Sequence, residues 1–199
     1  VEAYYAGINP DSSTLLNDLN FLNNSHRRTI GWDGLRYVYN VIDADPNGSG
    51  KIVGFYDNKL IGPSWDQGKT WNREHVWPDA LGGNSVEGDA HMTRPAWKNS
   101  NSDRGCMYYA ASGAYDPGSL NYNNYRGIAA RIIFYCCIAN TSLKLVDALS
   151  GGKNQMGKLS DLLKWNLEYL PNTSETAALE LRVEQNRNNT IALSKYQGN

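Results

Sequence analysis

The densest cluster of reactive side chains runs through Asn72-Arg73-Glu74-His75-Val76-Trp77-Pro78, Asp89-Ala90-His91-Met92-Thr93-Arg94-Pro95 and Asn99-Ser100-Asn101-Ser102-Asp103-Arg104. It holds two of the three histidines, a carboxylate next to an imidazole, several side-chain amides and three arginines. A zinc protease needs His-Glu-x-x-His on one helix face. Here Glu74 precedes His75 and the next histidine is His91, while the inverted motif would need a histidine where Trp71 stands. No Gly-x-Ser-x-Gly elbow and no phosphate-cradling Gly-x-x-x-x-Gly-Lys loop occurs. A carboxylate and an amide carbonyl are hard oxygen donors that suit Mg²⁺, which keeps several of its waters. An imidazole is largely neutral at pH 7 and takes a proton from water. Guanidinium groups complement the charge of a pentacoordinate phosphorus. Together these are the parts needed to hydrolyse a phosphodiester.

The elements that must position these parts follow from pattern. Neighbouring strand residues point to opposite faces, so Glu74 and His75 share a site only if the backbone ends or turns irregular around Glu74. Pro95 suits the first turn of a helix, and Gly105 suits its stop. On that helix Arg94, Lys98, Asn101 and Arg104 recur at spacings of three or four, which puts them along one face. Pro10-Asp11-Ser12-Ser13 starts an amphipathic helix carrying Leu15, Leu16, Leu19 and Leu22. A second helix runs from Asp33, as N-cap, through Leu35, Val38, Tyr39 and Ile42 to the turn at Asp45-Pro46-Asn47-Gly48. Lys51–Tyr56 and a short piece around His75-Val76-Trp77 read as strands, and Gly82–Ser85 reads as a loop. Residues 127–139, 159–170 and 177 to about 196 read as helices. The fold class is α+β, a mostly helical body around a small β element, in one domain over residues 1–199.

Composition bounds the partners. The chain has 199 residues, a net charge of −1 and a pI near 6.3. An anionic partner must therefore be held by local Arg and Lys clusters or a metal ion, not by the overall field. No apolar run approaches the ~20 residues of a membrane helix, and no membrane partner is expected. Cys106, Cys136 and Cys137 are odd in number and fit no zinc spacing. Cys136 and Cys137 lie in an apolar run and read as buried thiols.

The segments Trp71–Pro78, Gly88–Pro95 and Asn101-Ser102-Asp103-Arg104-Gly105 resemble the endonuclease I family, secreted or periplasmic non-specific nucleases of the His-Me finger (ββα-metal) class. The resemblance extends from Tyr4-Tyr5 to Asn186-Arg187-Asn188-Asn189 and Gln197-Gly198-Asn199. It implies a ββα-metal core, with His75 as the general base. Glu74 and Asn101 would ligate one Mg²⁺, in a site that also accepts Ca²⁺ or Mn²⁺. It also implies in-line attack leaving a 5′-phosphate and a 3′-hydroxyl, with Arg94 against the transition state or product phosphate. Arg73, His91, Lys98 and Arg104 would contact phosphate or support the residues that do; the motif does not separate the two. DNA, with RNA as a further substrate, is the implied partner of a monomer that is secreted or periplasmic, its leader removed before Val1.

Two departures stand out. The family's usual continuation after Gln-Gly-Asn is absent here, and the cysteine pairs of disulfide-rich relatives are not matched. The other reading is a module on the same fold that holds nucleic acid, or a polysaccharide through its Trp and Tyr, without hydrolysis. Trp65, Trp71, Trp77 and Trp97 fit core packing better than base stacking. His26, beside Arg27 and Arg28, reads as solvated, the basic triplet having the alternative of contacting a backbone phosphate. Asp79, Glu87 and Asp89 read as loop solvation, Asp89 with the alternative of orienting His91.

Overall fold

The computed structural model describes residues 4–120, 122–177, 179 and 182. Helix α1 (Leu15–His26) follows Thr14 as N-cap. Its Leu-rich stripe is only partly covered. Its polar side is anchored instead, with the Asn20 and Asn24 amides donating to the carbonyls of Ile138 and Ala139. Helix α2 (Trp32–Ile42) buries Leu35, Val38, Tyr39 and Ile42 along one stripe. It starts one residue earlier than Asp33 because Gly31, at φ +86°, supplies the cap conformation. Asp33 therefore sits in the first turn, where a carboxylate favours the helix dipole.

The strand expected over Lys51–Tyr56 shortens to β1 (Ile52–Val53), paired with β2 (Leu60–Ile61). Beyond it the chain turns through left-handed Tyr56 and Asn58. The central pair is β3 (Trp71–His75) and β4 (Thr93–Trp97), antiparallel and in unbroken register from Trp71 opposite Trp97 to His75 opposite Thr93. Helix α3 (Lys98–Arg104) follows at once and packs on the pair, so strand, strand and helix form one ββα unit. Pro95 thus belongs to a strand, not to the first turn of the helix. Its carbonyl accepts from the Phe55 N–H, on the side away from β3. A residue's N and O point the same way in a strand, so the missing proline donor costs β3 no bond. Arg94 consequently lies on β4, and only Lys98, Asn101 and Arg104 share α3.

Helix α4 (Tyr125–Ala139), the short parallel pair β5 (Lys144–Leu145) and β6 (Gln155–Met156), and α5 (Leu159–Glu168) complete the described body. The helix expected from Ala177 to Tyr196 and the segment Asn186–Asn189 lie almost wholly outside the described residues. Two apolar clusters flank β3–β4. One gathers on α2 with Trp71 and Ile52, the other on α4 with Val76, Trp77, Met92 and Ala96. Trp71 and Trp77 are fully buried, as core packing requires. All three cysteines are free, Cys136 and Cys137 buried and Cys106 exposed. No helix among the described residues is long and apolar enough to cross a membrane.

Candidate active site

The site is built on the last two residues of β3. Because the register is unbroken, the backbone around Glu74 is regular, contrary to the irregularity the sequence requires of a shared site. Alternation sends Arg73 and His75 to one face and Glu74 to the other.

On the first face the imidazole of His75 stacks on Trp32, with ring centroids 4.6 Å apart at 29°. Arg73 covers the same indole at 3.6 Å and donates to the Trp32 carbonyl. Trp32 is brought there by a close approach of two chain segments: the N–H groups of Ile30 and Gly31 both donate to the Gly88 carbonyl at 3.0 Å. The same segment delivers Glu87, whose Oε2 lies 3.0 Å from His75 Nε2. Thr93 fixes Glu87 from behind by donating to its carbonyl at 2.6 Å. If Nε2 carries the proton donated to Glu87, Nδ1 keeps its lone pair. Nδ1 makes no hydrogen bond to a described residue, and the His75 side chain remains 16% exposed. Asp79, just after the strand, completes a cluster in which the ligand atoms of His75, Asp79 and Glu87 lie within 4.8 Å of one another. Glu87 is therefore paired with His75 and does more than solvate its loop, while Asp79 stays exposed beside them, as its sequence context suggests.

On the other face Glu74 is buried, 2% exposed. Its Oε1 accepts from the Tyr56 hydroxyl at 2.6 Å and faces Arg104 Nη1 at 3.2 Å. Tyr56 in turn meets the Tyr109 hydroxyl. Burial raises the Glu74 carboxyl above its ordinary range, with Arg104 and Tyr56 pulling the other way. Arg104 is also buried; its two terminal nitrogens donate to the carbonyls of His75 and Val76 at 2.8 and 2.7 Å. It thus ties α3 to the end of β3 and carries the countercharge of Glu74. Glu74 Oε2 makes no hydrogen bond to a described residue, and neither does the part-exposed amide of Asn101, one turn into α3. Both remain open as hard oxygen donors, so the pair fits a Mg²⁺ ion in donor chemistry. Lys98 is exposed at the start of α3.

His91 and Arg94 lie further along. Asp89 is fully buried and binds His91 Nδ1 at 2.9 Å, Arg27 Nε at 2.7 Å and the Tyr135 hydroxyl at 2.6 Å. Asp89 therefore orients His91 and holds Arg27 in an ion pair. Arg94 is 7% exposed, its Nε donating to the His91 carbonyl at 3.2 Å. Burial, with Arg182 nearby, brings its guanidinium down to about 9.

No solved structure matches the chain at a significant level. An extracellular ribonuclease of Bacillus amyloliquefaciens is 30% identical, the match covering 94% of this chain and 73% of the relative. The profile of the endonuclease I family matches residues 13–132, a span that includes every residue of the site just described except the distal Tyr135 and Arg182. The ββα unit with its Glu74-His75 end thus lies wholly within the matched region, and the chain belongs to the endonuclease I family.

Proposed function

We propose that the protein is a metal-dependent endonuclease that hydrolyses phosphodiester bonds with little sequence specificity, taking DNA and also RNA. The observation that carries this is the His75 imidazole, held at Nε2 by Glu87 and across its face by Trp32, with Nδ1 open. Nδ1 takes a proton from water as the oxygen attacks phosphorus in line; the bond to the 3′ oxygen breaks and that oxygen takes a proton from a solvent water, leaving a 5′-phosphate and a 3′-hydroxyl. Glu74 and Asn101 hold one Mg²⁺, in a site open also to Ca²⁺ or Mn²⁺. When bound it neutralises charge on the phosphate and the departing oxygen. Glu74 and His75 end the same strand on opposite faces, so a phosphodiester lying across that end has one on each side. Arg104 holds Glu74 in place, while Arg73 packs the stack that holds His75. Arg94 supplies a cation for the product phosphate, and Lys98 is exposed for contact with a backbone phosphate. A mechanism that reads only the phosphodiester carries little sequence preference. The Bacillus relative is described as extracellular, and we place this chain likewise outside the cytoplasm, secreted or periplasmic, acting as a monomer in a single domain. The small core is that of a His-Me finger.

A second reading comes from the cluster of His75, Asp79 and Glu87, whose spacing is able to hold a metal ion. There the imidazole would be a ligand and not a base. Plasmid DNA and RNA cleavage with Mg²⁺, with and without EDTA, tests the whole assignment. His75→Ala should lose about 10²- to 10⁴-fold in rate. Equal rates for both proteins, insensitive to EDTA, would overturn the enzyme reading and leave a binding module. Asn101→Ala should raise the Mg²⁺ concentration for half-maximal rate, and Asp79→Ala should leave it unchanged. The reverse pattern would move the ion to the second cluster.

A further inference from the structure

Residues 54–59 form a tight turn, closed by the Gly54 N–H on the Lys59 carbonyl at 2.8 Å. The Phe55 N–H ties this turn to the Pro95 carbonyl of β4. The Asp57 carboxylate ties it to α3, accepting from the buried Ser100 hydroxyl at 2.6 Å, one residue before Asn101. Held between strand and helix, the turn fixes Tyr56 at φ +80°, with its side chain fully buried. A tyrosine in this region costs about 1–3 kcal/mol and persists only where its surroundings over-determine it, as they do at functional sites. The directions of its hydrogen bonds follow from the groups involved. A hydroxyl has one proton to give. A carboxylate oxygen accepts, so the Tyr56 proton goes to Glu74 Oε1, at 2.6 Å. The buried Tyr109 hydroxyl is then the donor in its bond to Tyr56. Arg104 Nη1 faces the same Oε1 at 3.2 Å, and its guanidinium covers the Tyr109 ring at 4.7 Å. Every hydrogen bond and ion pair that the described residues make to the Glu74 carboxylate thus falls on Oε1, and Oε2 keeps its lone pairs.

We infer that Tyr56 is a positioning residue for the metal site: its hydrogen bond fixes Glu74 through Oε1, so that Oε2 alone is presented to the ion. The inference rests on the proposed reading of Glu74 as a metal ligand. Arg104 does not do this by itself. Its contact with Oε1 is long for a charge-assisted bond, and its terminal nitrogens also serve the carbonyls of His75 and Val76. The Tyr56 bond lies within the roughly 2.5–2.7 Å of a strong hydroxyl–carboxylate contact. The same turn braces the second proposed ligand, because Asp57 holds Ser100 beside Asn101.

The test reads metal binding without substrate. Mn²⁺ is titrated into metal-free protein, and the free ion is followed by its electron paramagnetic resonance signal. Tyr56→Phe keeps the ring and its packing against Phe55 and Tyr115. It should weaken Mn²⁺ binding about 10- to 100-fold, the scale of losing a group that orients a metal ligand. Tyr109→Phe breaks the bond between the two tyrosines but leaves the one to Glu74, so its loss should fall below that range. In plasmid cleavage Tyr56→Phe should raise the Mg²⁺ concentration for half-maximal rate, and saturating Mg²⁺ should restore most of the rate, which a general loss of structure would not allow. Weakening by Tyr56→Phe but not by Asn101→Ala supports the role of Tyr56 and removes Asn101 from the ligands. Wild-type affinity in Tyr56→Phe, with weaker binding in Asn101→Ala, overturns the positioning role and leaves the ligand assignment standing. An equal loss in both tyrosine variants also overturns it, making the pair a packing feature. Mn²⁺ binding that neither Tyr56→Phe nor Asn101→Ala weakens overturns the ligand assignment and the positioning role together.

Discussion

At His75 one ring nitrogen is taken by Glu87 and one ring face by Trp32, so a single orientation presents Nδ1 outward. Glu87 is worth about one hydrogen bond to a charged group, about 1.5–3 kcal/mol, once the imidazole carries the proton. Glu87→Gln should therefore slow cleavage roughly 10- to 100-fold, at 1.36 kcal/mol per decade. The Mg²⁺ concentration for half-maximal rate should not move; a rise in that concentration with an unchanged maximal rate would make Glu87 a ligand. The reactive character of His75 is legible in the chain, because its neighbours are a carboxylate and an arginine. Glu87 is not. It sits twelve residues on, among Gly and Asn turn residues, with no period linking it to His75. Only the loop's return to β4, fixed by Thr93 on the Glu87 carbonyl, makes the pair. Trp32 escapes notice for the same reason, since a tryptophan at the start of a helix resembles any core aromatic.

The ββα element explains why some site residues converge and others do not. A regular β3 separates Glu74 from His75, and a helix that begins only at Lys98 leaves Arg94 on a strand. Pro95 and Arg94 were readable as a helix start because Pro tolerates both contexts; the deciding fact is which way its carbonyl faces, and that depends on Phe55, forty residues earlier. The spacing of Lys98, Asn101 and Arg104 survives, being short-range and helical. The other supporting element is the contact of two loops at Gly88. A Cβ there would lie 2.9 Å from the Gly31 Cα, a backbone atom with little room to give. Gly88→Ala should separate Trp32 and Glu87 from His75 together. We expect a loss of about 1–3 kcal/mol in stability, read by urea unfolding, and a lower maximal rate with an unchanged Mg²⁺ requirement. Wild-type rate and stability in this variant would show that the loop contact does not position the site.

Across the whole molecule, the α+β class and the presence of most helices follow from apolar periodicity, which burial enforces at α2, α4 and α5. What periodicity cannot show is how the two apolar clusters are joined, because that depends on polar groups from distant segments. Asp89 is such a joint. It gathers Arg27 from the end of α1, His91 from the turn before β4 and Tyr135 from α4 around one buried carboxylate. Burial alone would raise its pKa, but hydrogen bonding and charge from His91 and Arg27, with the Tyr135 hydroxyl, hold it far below the usual aspartate range. Folding thus favours the ionised form. The stability from this group is present above about pH 4, the unfolded aspartate range, and is lost as pH falls toward the lower folded value. Asp89→Asn removes the charge but nearly keeps the shape, leaving Arg27 facing a neutral amide. At pH 7 it should cost about 3 kcal/mol, the scale of breaking a buried pair from one side, or roughly 6–12 °C in Tm for a chain of this size. Thermal unfolding between pH 7 and pH 3 should show the gap to wild type narrowing only below about pH 4, where the wild-type carboxylate begins to lose its advantage. A gap that stays constant to pH 3 would mean that Asp89 stabilises the fold by shape and not by charge.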